Sequence, residues 1–459
     1  MIYLSTRGGA PEVDFAEALL RGMAPDGGLY LPKAWPSLSP ALIAGAAERP
    51  YAELAAEILK MFVGEALPAT AVEAAAARLP ATFDGPAVTP LVELEPGLFL
   101  LELFHGPTAA FKDLAMQMMA PLTEAALAAR DERMLLLTAT SGDTGAAAVR
   151  AFAGAERVRL VVFHPLDRVS PVQRRQMTTS TAENVLNLAV RGDFDDCQRL
   201  VKGLLADESL RAGARLSSVN SINWGRLVGQ IPYYLRAAAI AGPGVRFVVP
   251  TGNLGDAFAG WAARRMGLPA GRFTAAVNAN DALAQAFAGG RYVCRPASPT
   301  ASVSMDVQAP SNFERLVFEA SGRHPETTRT LFERFAAEGA VDLPTPLVAS
   351  LRAEAEVVSI DDARTAEEIR HAWRAWGRVV CPHTAVALAA ARRLDRGAGP
   401  VVALATAHPA KFPDFVAAAL GFEPEPPASL RAFAGGHERL AVIEPDLAEA
   451  RAAVAAHQA

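Results

Sequence analysis

Short apolar runs alternate with longer amphipathic stretches over most of this chain. Runs of this kind, separated by helical patterns, are typical of buried strands in a parallel sheet with helical crossovers. The pattern therefore predicts an α/β fold from about residue 96 to residue 422. The predicted strands are residues 98–103, 134–138, 160–163, 185–190, 247–249, 273–277 and 401–405.

The two ends of the chain have different patterns. Residues 1–95 carry apolar positions at helical spacing between Pro-rich turns, which predicts a mostly helical segment with helices at 14–23, 51–63 and 71–78. Residues 423–459 begin with Glu-Pro-Glu-Pro-Pro, a composition typical of a stiff, exposed connector, and end in an Ala-rich stretch at 447–456 that predicts a surface helix.

Two glycine-rich loops each follow a predicted strand and open a predicted helix. Glycines let a ligand approach the backbone, and the free N–H groups of a helix start bind anions. On these residues alone, an ordinary strand-to-helix turn explains either loop equally well. Neither loop has the Gly-Lys-Ser/Thr ending of a P-loop or the G-x-G-x-x-G pattern, so the usual sequence support for ATP or dinucleotide binding is lacking. The loops are Thr140-Ser141-Gly142-Asp143-Thr144-Gly145 and Thr251-Gly252-Asn253-Leu254-Gly255-Asp256.

A single lysine, Lys112, lies in a Gly/Pro-marked turn between the strand at 98–103 and a helical run from Leu114. Apolar surroundings favour the neutral amine, which can form a Schiff base with an aldehyde such as pyridoxal phosphate (PLP). A lone lysine at a helix start is more often an ordinary surface residue. Together with two anion-type loops, however, Lys112 indicates a carbonyl cofactor that bears phosphate and a second anionic ligand.

Composition narrows the possible partners and compartment. The net charge is −5 with no long basic run, which argues against nucleic acid as a partner. Although 51% of the residues are hydrophobic, no apolar run is long enough to span a membrane. The N-terminus lacks the pattern of a signal peptide, and three dispersed cysteines predict a reducing, cytoplasmic location without disulfides or a metal site.

Ten strings in order along the chain carry more specific information than any single motif. They are residues 102–113, 137–145, 219–224, 249–256, 304–306, 311–315, 382–385 and 406–412, with 15–18 and 26–30 near the N-terminus. Together they resemble the motifs of the threonine synthase family, from the N-terminus to about residue 422. The resemblance implies fold type II of the PLP-dependent enzymes, the tryptophan-synthase-β-like fold. In that fold the cofactor lies between two α/β domains, and the smaller, mobile domain would comprise about residues 113–214.

The resemblance also implies roles for individual residues. Lys112 would form the Schiff base with PLP and then move protons. The cofactor phosphate would be held by Gly252, Asn253, Leu254, Gly255 and Asp256, the 3′-oxygen would lie near Asp143, and the pyridine nitrogen would meet the hydroxyl of Thr406. The substrate would be bound by Ser141, Thr144, Ser221 and Arg226, with Lys411 and His408 as weaker candidates.

Asp256 is unexpected beside a phosphate, because two negative charges repel each other. We therefore expect its carboxylate to point away from the phosphate and to cap the helix at Ala257.

The activity implied by the resemblance is that of a PLP-dependent carbon–oxygen lyase acting on phosphate. It would convert O-phospho-L-homoserine and water into L-threonine and phosphate, the last step of threonine biosynthesis. Two alternatives stay open: a related PLP-dependent phospho-lyase that releases 2-oxobutyrate, and a non-catalytic protein that binds an amino-acid phosphate. The presence of Lys112 with both loops intact argues against the second. No metal is expected, and the sequence does not decide between a monomer and a homodimer.

Overall fold

The computed structural model describes residues 1–211 and 214–458. Within them the strands are β1 (Ile2–Ser5), β2 (Val13–Asp14), β3 (Tyr30–Pro32), β4 (Leu91–Glu95), β5 (Leu98–Glu102), β6 (Met134–Ala139), β7 (Val158–Pro165), β8 (Val185–Val190), β9 (Arg215–Ser217), β10 (Arg246–Pro250), β11 (Phe273–Val277), β12 (Arg291–Val293), β13 (Ala340–Asp342), β14 (Ala355–Ser359), β15 (Val401–Ala405) and β16 (Ala441–Ile443).

The α-helices are α1 (Phe15–Arg21), α2 (Pro40–Gly45), α3 (Tyr51–Val63), α4 (Ala69–Thr82), α5 (Lys112–Ala128), α6 (Asp143–Phe152), α7 (Pro171–Thr178), α8 (Phe194–Leu205), α9 (Glu208–Arg211), α10 (Trp224–Val228), α11 (Ile231–Ala241), α12 (Gly255–Arg265), α13 (Ala282–Gly289), α14 (Phe313–Ala320), α15 (Pro325–Glu338), α16 (Thr345–Glu354), α17 (Asp362–Trp376), α18 (Pro382–Ala391), α19 (Pro413–Leu420), α20 (Ala428–Arg431) and α21 (Leu447–Gln458). Short 3-10 helices cover Val303–Met305, Arg396–Ala398 and Pro409–Lys411.

The N-terminal segment contains helices α1 to α4 and a small antiparallel sheet of order β2-β1-β3. Helix α3 has the predicted bounds, since Leu54, Ile58 and Phe62 recur at helical spacing and are all buried. The sheet was not predicted from the sequence. Its strands are only two to four residues long, too short for an alternating pattern to emerge.

The larger sheet of the α/β core has the order β14-β11-β10-β15-β5-β4 and is parallel except for β4. Strands β11 and β15 have the bounds predicted from their apolar runs, and every residue in them is buried. Strands covered on both faces read as continuous apolar runs, which is why the sequence revealed them. The predicted α/β fold is thus confirmed.

The smaller sheet has the order β16-β8-β7-β6-β9, and all its strands are parallel. Its edge strand β16 comes from the C-terminal segment, where only a connector and a helix were expected. The helix α21 packs through its buried residues Ala450 and Val454 rather than lying free at the surface. The C-terminal segment therefore completes this sheet. The domain boundaries expected from the sequence, at about residues 95 and 422, stay predictions.

The carboxyl ends of β6, β10 and β15 carry the segments that the sequence analysis singled out. Ala139, Pro250 and Ala405 are the last residues of these strands, and the two glycine-rich loops and Thr406 follow them directly. In open α/β sheets, ligands bind beyond the carboxyl ends of the strands. None of the described helices is both long and apolar enough to cross a membrane.

Candidate active site

A cavity of about 440 Å³ lies where the loops after β6, β10 and β15 meet. The structure brings every residue of the predicted site into its lining. Those residues are Lys112, Ser141, Asp143, Thr144, Ser221, Arg226, Gly252, Asn253, Leu254, Gly255, Asp256 and Thr406.

Lys112 is the first residue of α5, and only 12% of its side chain is exposed. Its Nζ lies 3.3 Å from Oδ2 of Asp143. Burial lowers the pKa of Lys112, Asp143 opposes that change, and the nearby cations Arg226 and Lys411 lower the pKa further. The amine is therefore easier to deprotonate than an ordinary lysine, as a nucleophile toward an aldehyde must be.

The turn before Lys112 is fixed by the buried carboxylate of Asp113. Its oxygens accept hydrogen bonds from the Thr108 backbone N–H at 2.8 Å and from the Thr108 hydroxyl at 2.7 Å. A Cβ at Gly106 would lie 2.6 Å from Oδ2 of Asp113, so only glycine leaves room for this closure. The same turn contacts the segment directly after β15, since the Phe111 N–H donates to the carbonyl of Thr406 at 2.8 Å.

Asp143 is the first residue of α6, and its two oxygens face different partners. Oδ1 lies 2.8 Å from Nζ of Lys411 and accepts a hydrogen bond from Nε2 of Gln173 at 2.8 Å. Oδ2 faces Lys112 and the Ser304 hydroxyl, the latter at 3.5 Å. Burial alone would raise the pKa of Asp143, but the two lysines and the hydrogen bonds hold it well below its usual range. Asp143 is therefore ionised.

The loop 252–256 has the features of a phosphate site. A Cβ at Gly252 would lie 2.5 Å from the Ser304 carbonyl oxygen, so the backbone of the loop lies close to the backbone of Ser304. Leu254 has a left-handed φ of 58°, and α12 begins directly after it at Gly255. Loops of this shape at a helix N-terminus direct backbone N–H groups toward an anion. These residues fit the phosphate of PLP, as Lys112 fits its aldehyde.

The carboxylate of Asp256 does not cap a helix as expected, because it bonds two tyrosine hydroxyls. Helix α12 starts at Gly255 without a side-chain cap, and Oδ1 of Asp256 instead accepts hydrogen bonds from the hydroxyls of Tyr233 and Tyr234, the latter at 2.7 Å. Burial raises the pKa of Asp256 to about 6, although the two tyrosines act against that rise. The capping hypothesis is wrong because Asp256 lies inside α12, after the N-cap residue Leu254, and its carboxylate bonds the tyrosine hydroxyls of α11.

Arg226 in α10 is only 2% exposed. Its Nη1 donates to the Val219 carbonyl at 2.8 Å, while its Nε has no hydrogen-bond partner and no carboxylate lies within ion-pair distance in the described part of the chain. Burial lowers the pKa of Arg226 to about 10, so it stays a cation at neutral pH. An unpaired cation beside a cavity favours an anionic ligand.

Ser221 lies against the loop 252–256. A Cβ at Gly255 would be 3.1 Å from Cβ of Ser221, and the hydroxyl oxygen would be 3.7 Å away. The serine is thus next to the proposed cofactor-phosphate loop as well as in the cavity that contains Arg226.

The two weaker candidates do not line this cavity. Lys411 is fully buried behind Asp143, and Nδ1 of His408 accepts a hydrogen bond from the Ala410 N–H within its own turn. Sequence reasoning missed Gln173 and His383. The Nε2 of His383 accepts from the Ser304 N–H at 3.2 Å, and burial lowers the pKa of this histidine to about 4. His383 belongs to a string that resembles the family, whereas nothing in the sequence links Gln173 to Asp143.

Family models match nearly the whole chain. The model "Threonine synthase N terminus" matches residues 2–78, "Pyridoxal-phosphate dependent enzyme" matches residues 82–341, and "Threonine synthase, C-terminal" matches residues 384–454.

Individual relatives agree with the family models. The threonine synthase of Pseudomonas aeruginosa is 42% identical, with 100% of this chain and 98% of that protein covered. The PLP-bound threonine synthase of Brucella melitensis is 43% identical with a TM-score of 0.96 over 100% of this chain and 99% of that chain. The yeast threonine synthase is 32% identical with a TM-score of 0.92 over 99% and 98%. The chain therefore belongs to the threonine synthase family of PLP-dependent enzymes, with their type II fold.

Proposed function

We propose that this chain converts O-phospho-L-homoserine and water into L-threonine and phosphate. The observation that carries the proposal is a single cavity in which a largely buried amine, Lys112, and a buried, unpaired arginine, Arg226, are brought together with two helix N-termini. The amine suits a carbonyl cofactor, and the remaining donors suit two separate anions, one on the cofactor and one on the substrate.

The cofactor would be held by residues from both sides of the cavity. Lys112 would bind PLP covalently through Nζ, the loop 252–256 would hold its phosphate, and Asp143 would lie beside its 3′-oxygen. The hydroxyl of Thr406 would meet the pyridine nitrogen. When bound, PLP supplies an electron sink for negative charge at the substrate Cα. A hydroxyl does not demand a protonated ring, which suits elimination and addition at Cβ and Cγ better than transamination.

The residues around the substrate would transfer protons, bind the leaving phosphate and orient the substrate. Nζ of Lys112 would take a proton from Cα and then from Cβ, and it would return a proton to Cγ after phosphate has left. Arg226 and Ser221 would bind the leaving phosphate, whereas Ser141 and Thr144 at the start of α6 would bind and orient the substrate. Water would then add at Cβ and provide the hydroxyl of threonine. The remaining proton of that water would pass through Nζ of Lys112 to Cα, and the proton first taken from Cα would leave with the phosphate.

One assay separates the possible functions. Purified protein with PLP and O-phosphohomoserine should release phosphate and threonine in equal amounts. Release of phosphate with 2-oxobutyrate would instead identify a phospho-lyase, and saturable binding without turnover would identify a non-catalytic binding protein. Unphosphorylated homoserine is the control, because it lacks the leaving group that Arg226 would bind.

The two glycine-rich loops should respond differently to substitution. Gly252→Ala should weaken PLP binding by about ten- to a hundredfold, because the new Cβ would collide with the Ser304 carbonyl and displace the loop from the phosphate. Thr144→Val, which is nearly isosteric, should leave the Kd for PLP within about twofold and raise KM for the substrate. Titration of each variant with PLP measures the first effect and steady-state kinetics the second. Equal loss of PLP affinity in both variants would refute this division.

Ser221 has a separate test because it touches the cofactor loop. We propose that its hydroxyl serves the substrate phosphate, so Ser221→Ala should retain its PLP and lose kcat/KM. A fall in PLP content in that variant would instead assign Ser221 to the cofactor phosphate.

A cytoplasmic location is also proposed. It is supported by three dispersed cysteines, of which Cys197 and Cys381 are buried as free thiols, with Cys294 free and exposed.

A further inference from the structure

A second buried lysine stands behind Asp143. Lys411 ends the 3-10 helix Pro409–Lys411, and no part of its side chain is exposed. Its Nζ donates to the Thr108 carbonyl at 2.7 Å and lies 2.8 Å from Oδ1 of Asp143. Thr108 belongs to the turn that leads to Lys112. One ammonium group therefore joins this turn, the segment after β15 and the first residue of α6.

We propose that Lys411 is a positioning residue that balances the charge of Asp143 and thereby leaves Lys112 available as a neutral amine. The inference rests on the proposed function, because it takes Lys112 to be the lysine that binds the cofactor. The amine of Lys411 does not line the cavity, so neither ligand binding nor the shape of the cavity explains why a lysine is buried at this position.

The argument follows from the two oxygens of Asp143. If Lys112 were the sole cation beside this buried carboxylate, the pair would strongly favour the ammonium form of Lys112 and oppose its attack on an aldehyde. Lys411 occupies Oδ1, with Gln173 as a second donor, and only Oδ2 faces Lys112. The ion pair Lys411–Asp143 is neutral overall, so Lys112 gains a hydrogen-bond acceptor without a full uncompensated negative charge.

Other charged or titratable groups also face this cluster. Arg226 in α10 and Asp256 in α12 act on Lys112, and Asp113 in α5 lies near Lys411. His383 in α18 faces both lysines and Asp143, and the thiol of Cys381 at the start of that helix faces Asp143. A substitution at position 411 leaves all of these groups in the protein, so they form a common background for every variant.

The test measures the Kd for PLP against pH in the full-length protein, using the absorbance of covalently bound cofactor. Lys411→Gln keeps a hydrogen-bond donor toward Thr108 but removes the charge. It should move the pH at which covalent binding is half-maximal upward by about one unit or more, because more of Lys112 is then an ammonium. Lys411→Arg keeps the charge and should stay close to the wild-type profile.

A double variant supplies the decisive comparison. Asp143→Asn in the Lys411→Gln background removes the carboxylate that the first change left unbalanced, so the midpoint should return toward the wild-type value. The proposal is overturned if the profile of Lys411→Gln superimposes on that of the wild type, or if the double variant keeps the shift. If Lys411→Gln alone does not fold, the neutral double variant should still fold and bind PLP; its failure to fold would equally overturn charge balance.

This outcome is independent of turnover. A wild-type protein that binds PLP at Lys112 but does not convert O-phosphohomoserine would contradict the proposed function and leave the pH comparison intact.

Discussion

Lys112→Ala should lose the absorbance band of covalently bound PLP and nearly all turnover of O-phosphohomoserine. The variant lacks both the amine that binds the cofactor and the group that moves protons, and lost proton transfer alone is worth about 10²–10⁴ in rate. Absorbance spectra and phosphate release measure the two effects. Because Lys112 contributes to no ion pair other than that with Asp143 among the described residues, the variant should fold normally.

Lys60→Ala is a suitable control for this experiment, since Lys60 lies on α3 outside the cavity and pairs with Glu73 at the surface. Borohydride reduction of the wild type, followed by peptide mapping, should find the modified lysine at position 112. A retained band in Lys112→Ala together with a label on another lysine would show that the assignment is wrong.

Arg226→Ala should reduce kcat/KM for O-phosphohomoserine by about ten- to a hundredfold and leave PLP content unchanged. The leaving phosphate carries about two negative charges near neutral pH, and losing one charge-assisted donor to it costs roughly 1.5–3 kcal/mol. Arg226→Lys should recover only part of the loss, because an ammonium group cannot form the planar fork of guanidinium.

Arg236 on α11 provides a control for the loss of an arginine that donates to a backbone carbonyl. Its Nη1 donates to the Arg49 carbonyl at 2.9 Å, and its side chain does not line the cavity. Arg236→Ala should therefore lower the free energy of unfolding without changing the preference for phosphorylated over unphosphorylated homoserine. If Arg226→Ala leaves that preference unchanged too, the role proposed for Arg226 is refuted.

The central strands could be predicted from the sequence because burial on both faces leaves a continuous apolar run. Strands β8, β11 and β15 have the predicted bounds. Strands such as β9 and β16 could not be predicted, since they are three residues long and partly exposed. Their existence depends on a partner strand that is distant in the sequence, and no local pattern specifies that partner.

The same distinction applies to the site. Lys112 and the residues of both loops lie in continuous strings, so the chemistry could be read from local sequence. The contact between Asp143 and Lys411 joins positions far apart in the chain, and Gln173 reaches Asp143 from α7, which begins with its own capping box. The substrate-binding role of Arg226 was implied only by the resemblance, and only the fold revealed that this arginine is buried.

Strand β16 is the last strand of the smaller sheet to be synthesised, so this sheet is completed late in translation. Roughly 220 residues separate β9 from β16, which at about 5–20 residues per second corresponds to some 11–45 s of ribosomal synthesis. Until Ala441–Ile443 emerges, the backbone of β8 that it pairs with presents free N–H and C=O groups. An unpaired edge is a template for the wrong partner. The smaller sheet is thus vulnerable to intermolecular pairing for about half of the synthesis of the 459-residue chain, and shortening the chain at its C-terminus would make that vulnerable state permanent.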